Sequence, residues 1–326
     1  MDGLLVVDKP VGPTSHDVVA RVRRVLRERR VGHTGTLDPL ASGVMALVVG
    51  RATRLARFLS AGNKVYQATI QLGIATDSGD AAGVPIGLPH KGQWPDEQAV
   101  DRALTGFRGG FLQQPPALSA KKIAGRRSYA LARSRARRRD AVGNWPDVRL
   151  ATPDELPSPV AVTAYAISVV SVERDVVVLT VDCSPGFYVR TLAHDLGDRL
   201  GVGAHLVALR RTRSGAASEA AAIPLADIER GADGLERAIA AMVSLEGMLP
   251  NLPAVRLTES GARRVASGRD LSAPDLEGGC LPASAGGVDP RAAVVWYRLI
   301  DMSGRLLGLG VPAAEPGLLH PSVVLV

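Results

Sequence analysis

Apolar and polar positions along the chain fall into runs with periods of two and about 3.6. Leu4 to Val7 is a short β-branched run stopped by Asp8-Lys9-Pro10, which predicts a buried strand ending in a turn. Thr14 can cap a helix with Asp17 three residues later. Val18, Val22, Val25 and Leu26 then recur on one face, while Arg21, Arg23, Arg24 and Arg27 fill the others. Val44 to Val49 predicts a second apolar strand, and Arg51 to Leu59 a helix closed by Gly62. From Val65 to Gly73, Tyr66, Ala68, Ile70 and Leu72 alternate with Gln67, Thr69 and Gln71, the pattern of a half-buried strand. Pro95 to Phe107 predicts a helix, and Gln113-Gln114-Pro115-Pro116 an extended segment. Val160 to Val172 and Val176 to Cys183 read as a hairpin. Ser184-Pro185-Gly186 then turns the chain into a helix marked by Leu192, Leu196 and Leu200.

A short strand around 204–212 and one long helical region over 224–249 close a large domain, 1–249, with Pro250-Asn251-Leu252-Pro253 as the linker. In 250–326, Thr258 caps a short helix ended by Gly268. Runs at 294–300, 305–309 and 323–326 predict a small β-rich domain.

Composition narrows the class. A chain of 326 residues with 46% hydrophobic content buries a substantial core, which excludes disorder. The formal charge of +7 favours a polyanionic partner, nucleic acid or an anionic membrane surface. Only five of the 39 basic residues are lysines, and arginine suits bidentate phosphate contact. The densest basic run, Lys121 to Arg139, holds Lys121, Lys122, Arg126 and Arg127 and no acid, and leads into a Pro-interrupted stretch at 133–159. Cys183 and Cys280 lie too far apart to suggest a disulfide framework or a cysteine zinc site. With a non-signal N-terminus and no apolar span of about 18 residues, a cytoplasmic protein without membrane association is expected.

Candidate chemistry concentrates in Gly32-His33-Thr34-Gly35-Thr36-Leu37-Asp38-Pro39-Leu40-Ala41-Ser42-Gly43. Three glycines allow tight or positive-φ backbone, and Pro39 pushes Asp38 toward extended conformations, so a shaped loop holding His33 and Asp38 is expected. Asp77 and Asp80 sit in a polar loop without the spacing of a calcium site. Phosphate-loop, nucleophile-elbow, zinc-protease and dinucleotide motifs are absent from the sequence. Arg190 falls near a helix start, where the dipole disfavours a cation unless an acid faces it, so a carboxylate partner is expected. One held aspartate, a nearby histidine, a tyrosine-bearing strand, a distant arginine and basic surface suit chemistry on a nucleobase turned out of an RNA stack.

The loop from Gly32 to Gly43 closely resembles the signature loop of the TruB family of tRNA pseudouridine synthases. The likeness extends through Asp8-Lys9-Pro10, Thr14-Ser15, Tyr66, Thr76-Asp77, Lys121 to Ala132, Cys183 to Leu200 and Leu209-Arg210-Arg211, most of residues 3–213. It implies isomerisation of uridine 55 in the tRNA T-loop to pseudouridine, without cofactor or metal. The protein is expected to act on the T-arm as a monomer with no obligate protein partner. Carried over, Asp38 is the nucleophile, Arg190 pairs with it and favours its charged form, and Tyr66 packs on the target ring. His33 contacts the T-loop and helps fill the space left by the flipped base. Tyr188 and Leu209 belong to the substrate pocket, and Lys9, Lys121 and Arg126 are further substrate-binding positions. Whether Asp38 attacks C6 or C1′ stays open.

The implied fold is α+β, a mixed, largely antiparallel sheet with flanking helices plus a PUA-like C-terminal RNA-binding domain. Residues 254–326 match that domain only in length and strand content, and 133–159 is enlarged against the family pattern. An RNA-folding protein with secondary isomerisation, and a guide-directed synthase, are the alternatives.

Overall fold

The computed structural model describes residues 1–116, 157–280 and 294–326, together with backbone pairing of Lys122–Ile123 with Arg126–Arg127. Lys121, the Arg126 side chain and 133–156 of the expected basic stretch lie outside the described residues.

Strand β1 (Gly3–Lys9) leads to helix α1 (Ser15–Leu26), which opens on the expected capping box: Thr14 Oγ1 accepts from Asp17 N at 3.1 Å, and the Asp17 carboxylate accepts from Thr14 N at 2.8 Å. The helix buries Val18, Val19, Val22 and Leu26. At about 1.5–3 kcal/mol for each apolar side chain, that face outweighs the modest helix propensity of valine. Strands β2 (Val31–His33), β3 (Ala41–Val49) and β4 (Lys64–Leu72) follow. The segment between β3 and β4 starts as a 3₁₀ turn, Gly50–Leu55, before helix α2 (Ala56–Ser60). After α3 (Glu97–Leu104) come β5 (Gly109–Gln113), the long hairpin β6 (Val160–Glu173) and β7 (Val176–Cys183), helix α4 (Val189–Leu200), β8 (Ala204–Ser214) and the short β9 (Ile223–Pro224).

These strands form one mixed sheet in the order β9-β1-β3-β8-β4-β7-β6-β5, with β2 alongside β3. Only the β1/β9 and β3/β8 pairs are parallel. The other pairs are antiparallel, as in β1/β3, β4/β7 and β4/β8. The continuous apolar runs in β1 and β3 have a simple cause. Leu5, Val7, Met45, Leu47 and Val49 face the core covered by α1, whereas Leu4, Val6, Val44, Ala46 and Val48 face a second core on the reverse side.

The C-terminal region closes that second core. Strand β10 (Ala254–Arg256), β11 (Tyr297–Ile300), β12 (Leu306–Pro312) and β13 (Leu319–Val324) form a separate four-stranded sheet in chain order. Leu306, Leu309, Val323 and Leu325 pack into the cluster beneath β1 and β3. Arg51 donates to the Leu325 carbonyl at 2.8 Å, and the Arg57 guanidinium lies 4.7 Å from the Phe58 ring and 4.8 Å from that of Trp296.

Two expectations need correction. The long helix over 224–249 is instead α5 (Leu225–Ile228) and α6 (Gly231–Ala240), broken where Gly231 takes φ 65. Past α6 the chain makes an isolated bridge, in which Val243 exchanges both backbone hydrogen bonds with Leu4 of β1 at 2.8 and 2.9 Å, and then turns at 245–247. The strand expected from Val44 begins at Ala41. Its extra residues are held by Gly43, whose partners are Lys9 on β1 and Arg211 on β8.

Candidate active site

The segment between β2 and β3 is a loop fixed from three sides. Ser15, at the start of α1, donates to the Leu37 carbonyl at 3.0 Å and accepts from Leu37 N at 2.8 Å, while the Leu37 side chain is buried. Gly12 N donates to the Pro39 carbonyl at 2.8 Å. From β8, the fully buried Arg211 donates to the carbonyls of Val44 at 2.7 Å, Gly35 at 3.0 Å and Thr36 at 3.3 Å. Of the three glycines, only Gly43 uses positive φ, at 99°. A Cβ there would stand 2.3 Å from the Arg211 carbonyl oxygen, so glycine is what lets β3 and β8 approach.

Asp38 projects from this loop into a cleft of ≈ 850 Å³, of the size that encloses small ligands. Arg190 Nε lies 2.9 Å from Asp38 Oδ2, the arginine side chain only 7% exposed and the aspartate 37%. The expected carboxylate facing a cation at a helix start is therefore present: Arg190 is the second residue of α4. The unfavourable dipole term, about 0.3–1 kcal/mol, is smaller than a charge-assisted hydrogen bond of about 1.5–3 kcal/mol. The Thr76 to Asp80 loop backs the arginine from behind. Ser78 supplies its carbonyl to Arg190 at 3.1 Å, and Asp80 Oδ2 stands 3.8 Å from Nε. Asp80 is itself held, accepting from the Ser78 hydroxyl at 2.7 Å and from Ala82 N at 3.0 Å.

Tyr66, His33, Tyr188 and Leu209 all line the same cleft. Tyr66 is buried on β4, and its burial raises the phenol above its ordinary pKa. Leu209 on β8 pairs with Ala41, directly after the loop. Tyr188 is fixed by the buried Gln113 amide, which donates to its carbonyl at 3.0 Å and accepts from its N–H at 2.8 Å. His33 stands edge-on to His16 with ring centroids 5.8 Å apart. Its Nδ1 is buried without a partner, and burial, then His16 and Arg211, lower its pKa, favouring the neutral ring.

Lys9, expected to bind substrate, does not line the cleft. It is fully buried beneath the loop and donates to the carbonyls of Ala41 at 2.5 Å and Pro10 at 2.9 Å. Burial brings its pKa down to about 8, against the raising influence of Asp38 and with the help of Arg211. Its ammonium thus contacts the first residue of the strand that follows Asp38.

Four residues that matter here were not singled out by sequence reasoning: Arg211, Asp80, Ser78 and Gln113. Arg211 stood in a noted arginine pair and Asp80 in a noted polar loop, but neither local pattern points to a partner more than a hundred residues away. In sum, the site offers a clamped carboxylate with an open face, aromatic and aliphatic walls, and donors fixed by backbone contacts.

This architecture and site define the class as pseudouridylate synthase. Residues 23–141 match the N-terminal domain of TruB family pseudouridylate synthases, and residues 190–245 match the tRNA pseudouridylate synthase B C-terminal domain. The tRNA pseudouridine synthase B of Solibacter usitatus is 40% identical over 325 residues, covering 100% of both chains. That of Geobacter sulfurreducens is 41% identical over 286 residues, covering 86% of each. Among solved structures, a chain of a Cbf5-Nop10-Gar1 complex superposes with a TM-score of 0.65 at 28% identity, over 95% of this chain and 78% of that one. A chain of an archaeal box H/ACA sRNP Nop10-Cbf5 complex gives 0.67 at 25%, over 99% and 86%. The chain belongs to the TruB family.

Proposed function

We propose that the protein isomerises uridine 55 in the T-loop of tRNA to pseudouridine, with Asp38 as the nucleophile. The observation that carries this reading is the Asp38–Arg190 pair at 2.9 Å in a cleft walled by Tyr66, in a chain whose full-length relatives are named tRNA pseudouridine synthase B.

The target uridine leaves the stack and enters the cleft, where Tyr66 packs on its ring and His33 takes part in holding the opened loop. Arg190 holds the Asp38 carboxylate, so Asp38 enters the reaction oriented. Attack on C6 or on C1′ leads to the same balance: the N1–C1′ bond breaks, the uracil turns within the cleft, a C5–C1′ bond forms, and the bond to Asp38 breaks to return its free carboxylate. C5 gives its proton to solvent, and N1 takes one up. Buried walls keep the detached base from escaping.

The four-stranded C-terminal sheet supports a PUA-like RNA-binding role for 250–326, and the basic composition of 121–139 supports further RNA contact through Lys121 and Arg126. The protein acts on tRNA alone as a monomer. Tritium release from C5-labelled tRNA transcript tests the core of the reading. Wild type is expected to release label at one site and Asp38→Asn to release none while binding tRNA within a few-fold. Normal turnover by Asp38→Asn would overturn the assignment.

A further inference from the structure

Residues 21–30 hold six arginines against one glutamate, in a chain whose whole formal charge is +7. Some of this charge has local work. Arg23 donates to the Val31 carbonyl at 2.6 Å, Arg21 faces Glu229 at 3.7 Å, and Arg30 lies 3.5 Å from Glu28. Arg24, Arg27 and Arg29 are exposed, and among the described residues none of them has an ion-pair partner.

Arg27 is also conformationally costly. As the C-cap of α1 it takes φ 50, the left-handed region where glycine is the unstrained occupant. A cation does suit a helix C-terminus, but that preference is satisfied by Arg23 and Arg24 in the last turn and does not call for a strained arginine beyond it.

The cluster is joined to the cleft by one short strand. Strand β2 runs directly from it to His33, so at ~3.3 Å per residue Arg30 stands about 10 Å along the chain from a cleft-lining side chain. RNA seated with one nucleotide in the cleft must carry its neighbouring phosphates out past the cleft, and the surface that precedes His33 along the chain exposes Arg24, Arg27 and Arg29.

We propose that Arg24, Arg27 and Arg29 bind backbone phosphates of the substrate RNA where it leaves the cleft past His33. The assignment rests on the tRNA-modification reading above. It gives the surface a sequence-independent role, setting how the flanking backbone lies while the cleft reads the flipped base.

The test uses the full chain with a tRNA transcript and an isolated T-arm stem-loop as probes. With a salt slope of about −0.7 per phosphate on single strands, each contact contributes on the order of fourfold in affinity near 0.15 M salt. Arg24→Gln/Arg27→Gln/Arg29→Gln is therefore expected to raise Kd roughly tenfold to 50-fold and to flatten the slope of log Kd against log salt by about 2. In turnover, the loss should fall on KM rather than on the rate at saturating RNA. Arg27→Gly should weaken binding about fourfold while Tm stays level or rises, since glycine relieves the strain. A purely structural role would instead lower Tm and leave the salt slope alone. Arg174→Gln, at the far end of the β6–β7 hairpin, serves as the charge control. An active wild type with an unchanged Kd and slope in the triple variant overturns this proposal alone; a wild type that neither binds nor modifies tRNA removes the reading beneath it as well.

Discussion

Replacing Arg190 with lysine keeps the charge and removes the geometry. The guanidinium holds Asp38 through Nε at 2.9 Å while another of its nitrogens reaches the Ser78 carbonyl at 3.1 Å, and the side chain is almost wholly buried. A lysine ammonium is a point donor on a flexible stem and cannot span both acceptors at those spacings. One charge-assisted hydrogen bond is thereby lost or lengthened, about 1.5–3 kcal/mol. The open side of Asp38, 37% exposed, lets water screen part of the difference, so the lower half of that range is the better guide. At 1.36 kcal/mol per decade, kcat is expected to fall roughly 10- to 50-fold. Binding of tRNA rests on many contacts elsewhere and should weaken only a few-fold. Single-turnover tritium release at saturating enzyme measures the chemical step, filter binding the affinity, and thermal unfolding shows whether the fold survives. A single-turnover rate within threefold of wild type in a folded Arg190→Lys protein would refute the claim that the fork geometry orients the nucleophile.

Arg211→Met leaves the carbonyls of Gly35, Thr36 and Val44 without their donor. At about 1–3 kcal/mol for each buried polar group left unpaired, and with some relief of repulsion against Lys9 and Lys64, a net loss near 3 kcal/mol is expected in urea unfolding. Gly43→Ala must move backbone to clear a 2.3 Å approach at φ 99, so a midpoint drop equivalent to about 2 kcal/mol or more is expected; an unchanged midpoint would contradict the close strand approach. Lys9 gives a pH signature. Its folded pKa, about 8, lies below the ordinary 10.5, so between those values the unfolded chain binds the extra proton and rising pH favours the fold. The gain, on the order of 3 kcal/mol, is absent below pH 8 and complete above about 10.5; Lys9→Met should lack it when unfolding is followed across that window.

Much of the scaffold was legible because its causes are local. The capping box of α1 needs only Thr14 and Asp17, the alternation in β4 only the facing of successive side chains, and the hairpin at Glu173 only two β-branched runs and a polar turn. Arg190 shows how far local physics reaches. A cation at a helix start demands an acid, and the sequence states that demand without saying where the acid comes from. The resemblance to the family supplied Asp38. The burial of Lys9 was not legible, because a lysine before a proline at a strand end looks like surface until the loop that covers it is in place.

The sequence by itself determined most of the strands and helices outside 224–249, the shape-forming residues of the Asp38 loop, and the need for a carboxylate at Arg190. Only the tertiary structure decided that Arg211 staples that loop from β8, that Ser78 and Asp80 brace Arg190, that Gln113 clamps Tyr188, and that β12 and β13 cover the reverse face of β1 and β3. Each of these joins residues far apart in the chain through a buried polar group or an apolar face. Hydrophobic period and capping chemistry say that such a group needs a partner; which partner it finds depends on how the strands are ordered in the sheet.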